Sequence, residues 1–410
     1  MANFLKLFKE WFILSKKNIY FSIHLSSGAL AFSTFFLRLI LVNWYVLEKT
    51  DSSFLVGILG SIPILLQPLS SPLGGKFADK YSRKFVLFVT RIIEATSFLL
   101  LAIFINLDIS PLWSIAILSA FIGFSGGIGG PSWRNMLVDI LGIENVAKGN
   151  AITELSNGIV NSIIPALAAL LLTIFTVSQL YWSLPIISYF SAIMILILVL
   201  KMPPQKVLEN NEESSMKDSF KYVINNSEIR PIIILGATTL LWGITQPLIP
   251  VYCRDFLDLD GTGYSLVTSA NFLGTMFGSI ILIIFGAKLA TGKLLSFYVI
   301  MFALFSYLFF TLQNSILAGF SLFLSGGFIT IWIANVFTLL QTLPEEKYMG
   351  RVVAFFFTMF GLIGIGFILG GFFGDLIGIN TTILISCLFI VSLHLLVLIT
   401  SKSYRKLKLQ

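Results

Sequence analysis

The sequence predicts an all-α, polytopic membrane protein with twelve transmembrane helices in two pseudo-symmetric six-helix bundles. Three observations lead there. Of 410 residues, 56% are hydrophobic, only 11% are charged, and the mean hydropathy is +0.92; soluble domains carry roughly 45–50% apolar and about 25% charged residues. Apolar runs of the length needed to cross hydrocarbon, about 20 residues at about 1.5 Å each, recur along the whole chain. The only long polar stretch, "KMPPQKVLENNEESSMKDSFKYVINNSEIR", falls between two groups of such runs. The runs are continuous and lack strand-type alternation, which argues against an outer-membrane barrel.

Taken in order, the opening segment "MANFLKLFKEWFILSKKN" interleaves bases with Phe4, Phe8, Trp11 and Phe12. It has no n-region, h-region and cleavage site, and predicts an interfacial helix. The first six spans are centred on Ser22–Leu47, Phe54–Phe77, Phe85–Asn106, Leu112–Ile140, Ala151–Phe175 and Tyr181–Leu200. Pro203–Pro204 ends the sixth, because proline cannot continue the helical ladder, and Phe220, Val223 and Ile224 form a short amphipathic face within the polar linker. The second six are centred on Ile232–Phe256, Ser265–Ala287, Leu294–Leu312, Ile316–Leu340, Val352–Leu376 and Thr381–Ile399. The predicted domains are 1–200, an N-terminal bundle; 201–230, a cytoplasmic linker; and 231–410, a C-terminal bundle with a basic tail.

Orientation follows from the bases. With both termini cytoplasmic, Lys76–Lys84, Lys148, the linker, Lys288, Lys293, Lys347, Arg351 and the tail "SKSYRKLKLQ" lie inside. Only Lys49 and Arg254 fall outside, as the positive-inside rule requires. The net charge of +7 is therefore a topology signal, and nucleic-acid binding is not expected. Cys253 and Cys387 form neither a disulfide framework nor a metal cluster, so no metal or cofactor is expected. The halves echo each other as parallel repeats: Glu144 and Gly149 after the fourth span match Glu345 and Gly350 after the tenth.

The stretch "GGKFADKYSRK", Gly74 to Lys84, sets one acid among four bases between the second and third spans. Gly75, Asp79, Lys80, Arg83 and Lys84 resemble the signature of the major facilitator superfamily at this position, with Ser82 where glycine is usual. "LEKTDSS", "PSWRNMLVDILGIENVAKGNAI" and "LLQTLPEEKYMGRVVAFF" are similar to the macrolide-efflux and enterobactin-exporter branch of drug:proton antiporters. The resemblance implies a gate: Asp79 would face the N-terminus of the eleventh span, where unpaired amides favour a negative charge, and Arg83 would pair with Asp139. Glycine at Gly75 would allow close helix approach; Lys76, Lys80 and Lys84 read first as topology anchors in solvent. A second signature, in the fifth span of proton-linked exporters, survives only in part: Pro165 is present, but Ile164 and Ala168–Ala169 replace glycines.

Ionisable groups at membrane depth cost at least about 2.5–3.5 kcal/mol each, so each needs a partner or water. Arg91 and Glu94 sit three apart on one face of the third span. Arg134 and Glu154 lie at similar depth on consecutive antiparallel spans. These four are the proton-coupling candidates, Glu94 first and Glu154 second as carrier; a neutralised structural pair is the plainer alternative for each. Arg38 has no acid at helical spacing. In the fold the resemblance implies, spans one, four, seven and ten line a central cavity. Arg38 is therefore expected to face water or an anionic substrate, with pairing to a distant acid as the alternative; Trp242, Gln246, Trp332 and Asn335 are further cavity candidates, and Pro247 and Pro250 bend the seventh span. His24 and His394 are expected to pack.

The expected function is secondary transport: export of an amphipathic small molecule by alternating access in exchange for protons, by a monomer in the lipid of the plasma membrane. No Gly-x-x-x-x-Gly-Lys-Ser/Thr signature supplies nucleotide energy. An importer or facilitator on the same fold is the alternative, since fold does not fix direction. A non-transporting sensor or lipid scramblase is more distant, and a membrane enzyme lacks a His-Glu-x-x-His motif or an intramembrane aspartate pair.

Overall fold

The computed structural model describes residues 18–107, 112–203, 216–285, 289–345 and 361–408, together with Tyr348, Val352 and Met359. Ten helices are long and apolar enough to cross a membrane, and two shorter apolar helices, Ser156–Leu172 and Gly361–Ile377, complete a twelve-span, all-α membrane protein. The helices are α1 (Ile19–Thr50), α2 (Ser53–Lys80), α3 (Arg83–Asn106), α4 (Leu112–Leu141), α5 (Ile143–Leu172), α6 (Val177–Leu180), α7 (Ser183–Lys201), α8 (Met216–Asn225), α9 (Ile229–Leu235), α10 (Thr238–Asp255), α11 (Gly261–Phe285), α12 (Gly292–Phe309), α13 (Ser315–Thr342), α14 (Gly361–Ile377), α15 (Ile379–Thr400) and α16 (Lys402–Lys406). The interfacial segment expected before α1 and most of the linker lie outside the described residues. Of the linker's amphipathic face, Val223 is buried and Ile224 exposed.

Polar residues start these helices by satisfying first-turn amides that have no partner inside the helix. Asn18 accepts from the amides of Tyr20 and Phe21, and Thr176 with Gln179 forms a reciprocal capping box. Thr291 accepts from Leu294, and Asn314 from Ile316 and Leu317.

The chain divides into two compact units: Met1–Asp51 with Leu59–Asn210, and Ser52–Ile58 with Asn211–Gln410. The residues of α2 are thus shared, its first turn and a half belonging to the second unit. In the first unit α1 packs on α7, where Ser27 and Ser191 hydroxyls meet at 2.8 Å, and α3 packs on α4 and α7. In the second unit α11 packs on α13 and α10 on α14. At the α10–α14 contact the helices meet backbone to backbone: a Cβ at Gly366 would strike the Leu240 carbonyl, so no larger residue fits.

The tail closes the second unit. Tyr404 and Leu407 are buried, Gly292 donates to the Leu407 carbonyl, and Thr291 bridges Lys408. Behind Tyr404 runs a hydrogen-bond chain that one assignment satisfies throughout. In it Thr238 donates to the Leu235 carbonyl at 2.8 Å and its oxygen accepts from His394 Nε2–H at 2.9 Å. In the neutral imidazole Nδ1 is then the acceptor; Ser296 donates to it at 3.2 Å, and Tyr404 donates to Ser296 at 3.2 Å. Four polar groups in an apolar interior are satisfied by pointing one way.

Candidate functional site

The charged turn at the end of α2 takes its shape from Ser82. Its φ of −62° and ψ of 132° are ordinary extended backbone, so serine serves where the superfamily signature carries glycine. The Ser82 carbonyl accepts from the Phe85 and Val86 amides as α3 begins. Arg83 then donates to Asp139 at 2.7 Å, with both side chains mostly enclosed (15% and 12% exposed). Asp139 Oδ2 is buried without a partner among the described residues.

Two residues of the motif differ from expectation. Lys84 is not a solvated anchor: it is buried, and its ammonium donates to the carbonyl of Met202 just beyond α7. Tyr20 donates to the adjacent Lys201 carbonyl at 3.0 Å. The last carbonyls of a helix carry its negative end, so a cation there is favoured. Gly75 makes no close approach: a Cβ there meets nothing within 4 Å among the described residues. Gly74 does instead, since its Cβ would strike the Ile128 carbonyl of α4. One residue is about 100° of helical turn, enough to move the contact off Gly75. Lys76 and Lys80 are exposed, and Lys80 lies 5.5 Å over the Tyr81 ring. The Asp79 side chain and Gly350 lie outside the described residues, as does most of the stretch that would begin the eleventh span.

Midway along α3, Arg91 donates to Glu94 at 2.6 Å, with the two side chains 16% and 12% exposed. Nearby, His24 of α1 stacks on Trp133 of α4 at 3.6 Å between ring centroids and 17° between planes. Arg134 is exposed, and the Glu154 side chain lies outside the described residues. Arg38 corrects an expectation: it is 2% exposed and does not face water. It donates to Ser119 at 3.0 Å and to the Leu59 carbonyl at 3.5 Å, while Nε has no partner among the described residues. Neutral oxygens of α2 and α4 hold this cation, a solution that helical spacing within α1 does not reveal.

In the second unit Trp242 and Gln246 are half-buried on α10, which carries Pro247 and Pro250. Trp332 and Asn335 are buried: the indole meets His394 edge-on, and Asn335 donates to Ile331 in its own helix. These two are not offered to solvent. No group of three or more His, Cys, Asp or Glu able to hold a metal occurs among the described residues.

The sequence reading missed Asp375. Near the end of α14, within the second unit, its carboxylate accepts from the Ser53 amide at 3.1 Å, the Phe54 amide at 3.0 Å, the Ser52 hydroxyl at 2.8 Å and the Ser53 hydroxyl. These groups open α2. A signal was present: "GGKFAD", Gly74–Asp79, is echoed by "GGFFGD", Gly370–Asp375.

The sequence profile of the Major Facilitator Superfamily matches residues 23–367. The chain belongs to the major facilitator superfamily. Among curated relatives of this superfamily member, the enterobactin exporter EntS of Shigella boydii serotype 4 (strain Sb227) is 24% identical over 307 residues, 74% of this chain and 72% of that protein. A putative proline/betaine transporter of Staphylococcus haemolyticus (strain JCSC1435) is 26% identical over 219 residues, 50% of this chain and 47% of that one, so the match spans about half of that relative.

Solved structures share the fold. A bacterial homologue of the human lysosomal transporter Spinster, inward-facing and unoccupied, superposes with a TM-score of 0.73 at 11% identity, covering 95% of this chain and 99% of that one. The nucleoside transporter NupG gives 0.69 at 17% identity, over 91% and 98%. The major facilitator superfamily chain is an integral membrane transporter and not an enzyme.

Proposed function

We propose that this transporter exports an amphipathic small molecule by alternating access in exchange for protons, working as a monomer in the plasma membrane with both termini cytoplasmic. The observation that carries the proton part is the Arg91–Glu94 pair, a carboxylate on a partly enclosed face in the middle of a membrane-spanning helix. An acid at this depth is costly unless paired. A pair that opens in one state and closes in the other lets Glu94 load and release a proton; Glu154 is the second choice, with Arg134 as its partner. Likeness to an enterobactin exporter over 74% of the chain supports export. Asp79, with Gly75, Lys80, Arg83, Lys84 and Asp139, is proposed as the cytoplasmic gate.

The test uses proteoliposomes with an imposed pH gradient and amphipathic substrates that raise the protein's melting temperature. Glu94→Gln, which mimics the protonated acid, is expected to abolish proton-driven accumulation while leaving downhill exchange largely intact. A Glu94→Gln protein that still builds a gradient removes Glu94 from the mechanism. The putative proline/betaine transporter supports a second reading, import on the same fold. Reversing the pH gradient separates the two, since a proton exchanger moves substrate opposite to the protons, whereas a proton-coupled importer moves it with them.

A further inference from the structure

The first amides of α2 are donors with no partner inside the helix. A residue just before a helix usually supplies the acceptor. Here the Ser52 hydroxyl accepts from the Leu55 amide, at 3.3 Å, and Asp375, far along the chain, takes the amides of Ser53 and Phe54. The approach is close by design of the sequence: a Cβ at Gly371 would overlap the Ser53 carbonyl, and one at Gly57 would overlap the Phe367 carbonyl. Phe54 and Phe372 meet edge to face at 5.7 Å beside the cap.

The second and eleventh spans end in hexapeptides that agree at four of six positions, and antiparallel topology puts those ends on opposite sides of the membrane. Asp375, at the outer end, sits on the start of the second span; Asp79, at the inner end, is the acid proposed to sit on the start of the eleventh. We propose that Asp375 is an outer latch of the transport cycle, holding the first turn of α2 on the end of α14 while the outer side is shut and releasing it when that side opens. The inference rests on the transporter reading and on the proposed orientation with both termini cytoplasmic, and holds for either direction of transport and any coupling ion.

A cap made of four hydrogen bonds to one carboxylate suits this role. It is strong when formed, because its donors meet a full charge, and each bond is replaceable by water when the outer side hydrates. A purely apolar seam would lack that exchange.

The test is the maleimide labelling rate of a cysteine at Val56, which is buried beside the cap, in the full-length protein reconstituted in nanodiscs, with Cys253 and Cys387 replaced by alanine. No substrate is needed. Asp375→Asn keeps the shape but loses the charge and is expected to raise the labelling rate roughly tenfold or more, as the loss of a charge-assisted bond implies. Asp375→Glu is expected to return the rate towards that of the native residue. Ser52→Ala with Ser53→Ala removes two of the four bonds, leaves the carboxylate in place, and is expected to give a smaller rise. Asp375→Asn with an unchanged labelling rate overturns the latch, as does a protein that melts earlier while its labelling rate stays the same. Failure of Glu94→Gln to uncouple transport would leave this result untouched.

Discussion

Arg83 reaches Asp139 across 2.7 Å and so ties the first turn of α3 to the last turn of α4. Breaking a mostly enclosed charged bond from one side leaves the other charge without its partner. Arg83→Ala is expected to lower stability by about 1–3 kcal/mol, read as a drop in melting temperature. Exchanging the two residues, Arg83→Asp with Asp139→Arg, should recover part of the transport lost in either single variant. A double variant no better than the worse single would show that the contact carries nothing.

Lys84 is expected to matter more for folding than for gating. Lys84→Ala removes a charged donor from the Met202 carbonyl and should cost about 1–2 kcal/mol, whereas Lys84→Arg retains a cation and should cost less. The same substitution at exposed Lys76 should leave the melting temperature unchanged.

Two adjacent glycines should behave oppositely. Gly74→Ala forces a methyl against the α4 backbone and is expected to destabilise by about 1–3 kcal/mol. Gly75→Ala meets nothing within 4 Å among the described residues and should fold normally. Equal yields and melting temperatures for the two would contradict the helix phase described above.

At the tail, Tyr404→Phe removes one donor while Ser296 still serves His394, and should cost about 1 kcal/mol. Tyr404→Ala empties a buried aromatic site and should cost about 3–5 kcal/mol. The comparison by thermal unfolding separates hydrogen bond from packing.

The fold was legible because membrane insertion is decided by local apolarity: each span can be read from its own residues without knowing its neighbours. Spacing of three on one helix likewise suffices to bring Arg91 and Glu94 together. What was not legible depends on partners supplied by other helices. Arg38 is answered by a hydroxyl and a carbonyl, neither of which advertises itself as a counter-ion. Lys84 finds a backbone carbonyl, and every residue has one. Parallel repeats pair the second span with the eighth and so do not point to Asp375, whose echo runs from the second span to the eleventh.

The hydrogen-bond chain through His394 also bears on biogenesis. Its first donor, Tyr404, and the carbonyl that holds Gly292, that of Leu407, come from the stretch that is synthesised after the twelfth span. Until residues 404–407 emerge, Ser296 keeps an unfilled acceptor deep in the bundle and α12 lacks the partner at its start. The second unit therefore cannot finish assembling while it is still being inserted helix by helix. Ribosomes stalled just short of this tail should hold a bundle that quality-control proteases still cut, and a few more residues of synthesis should make it resistant.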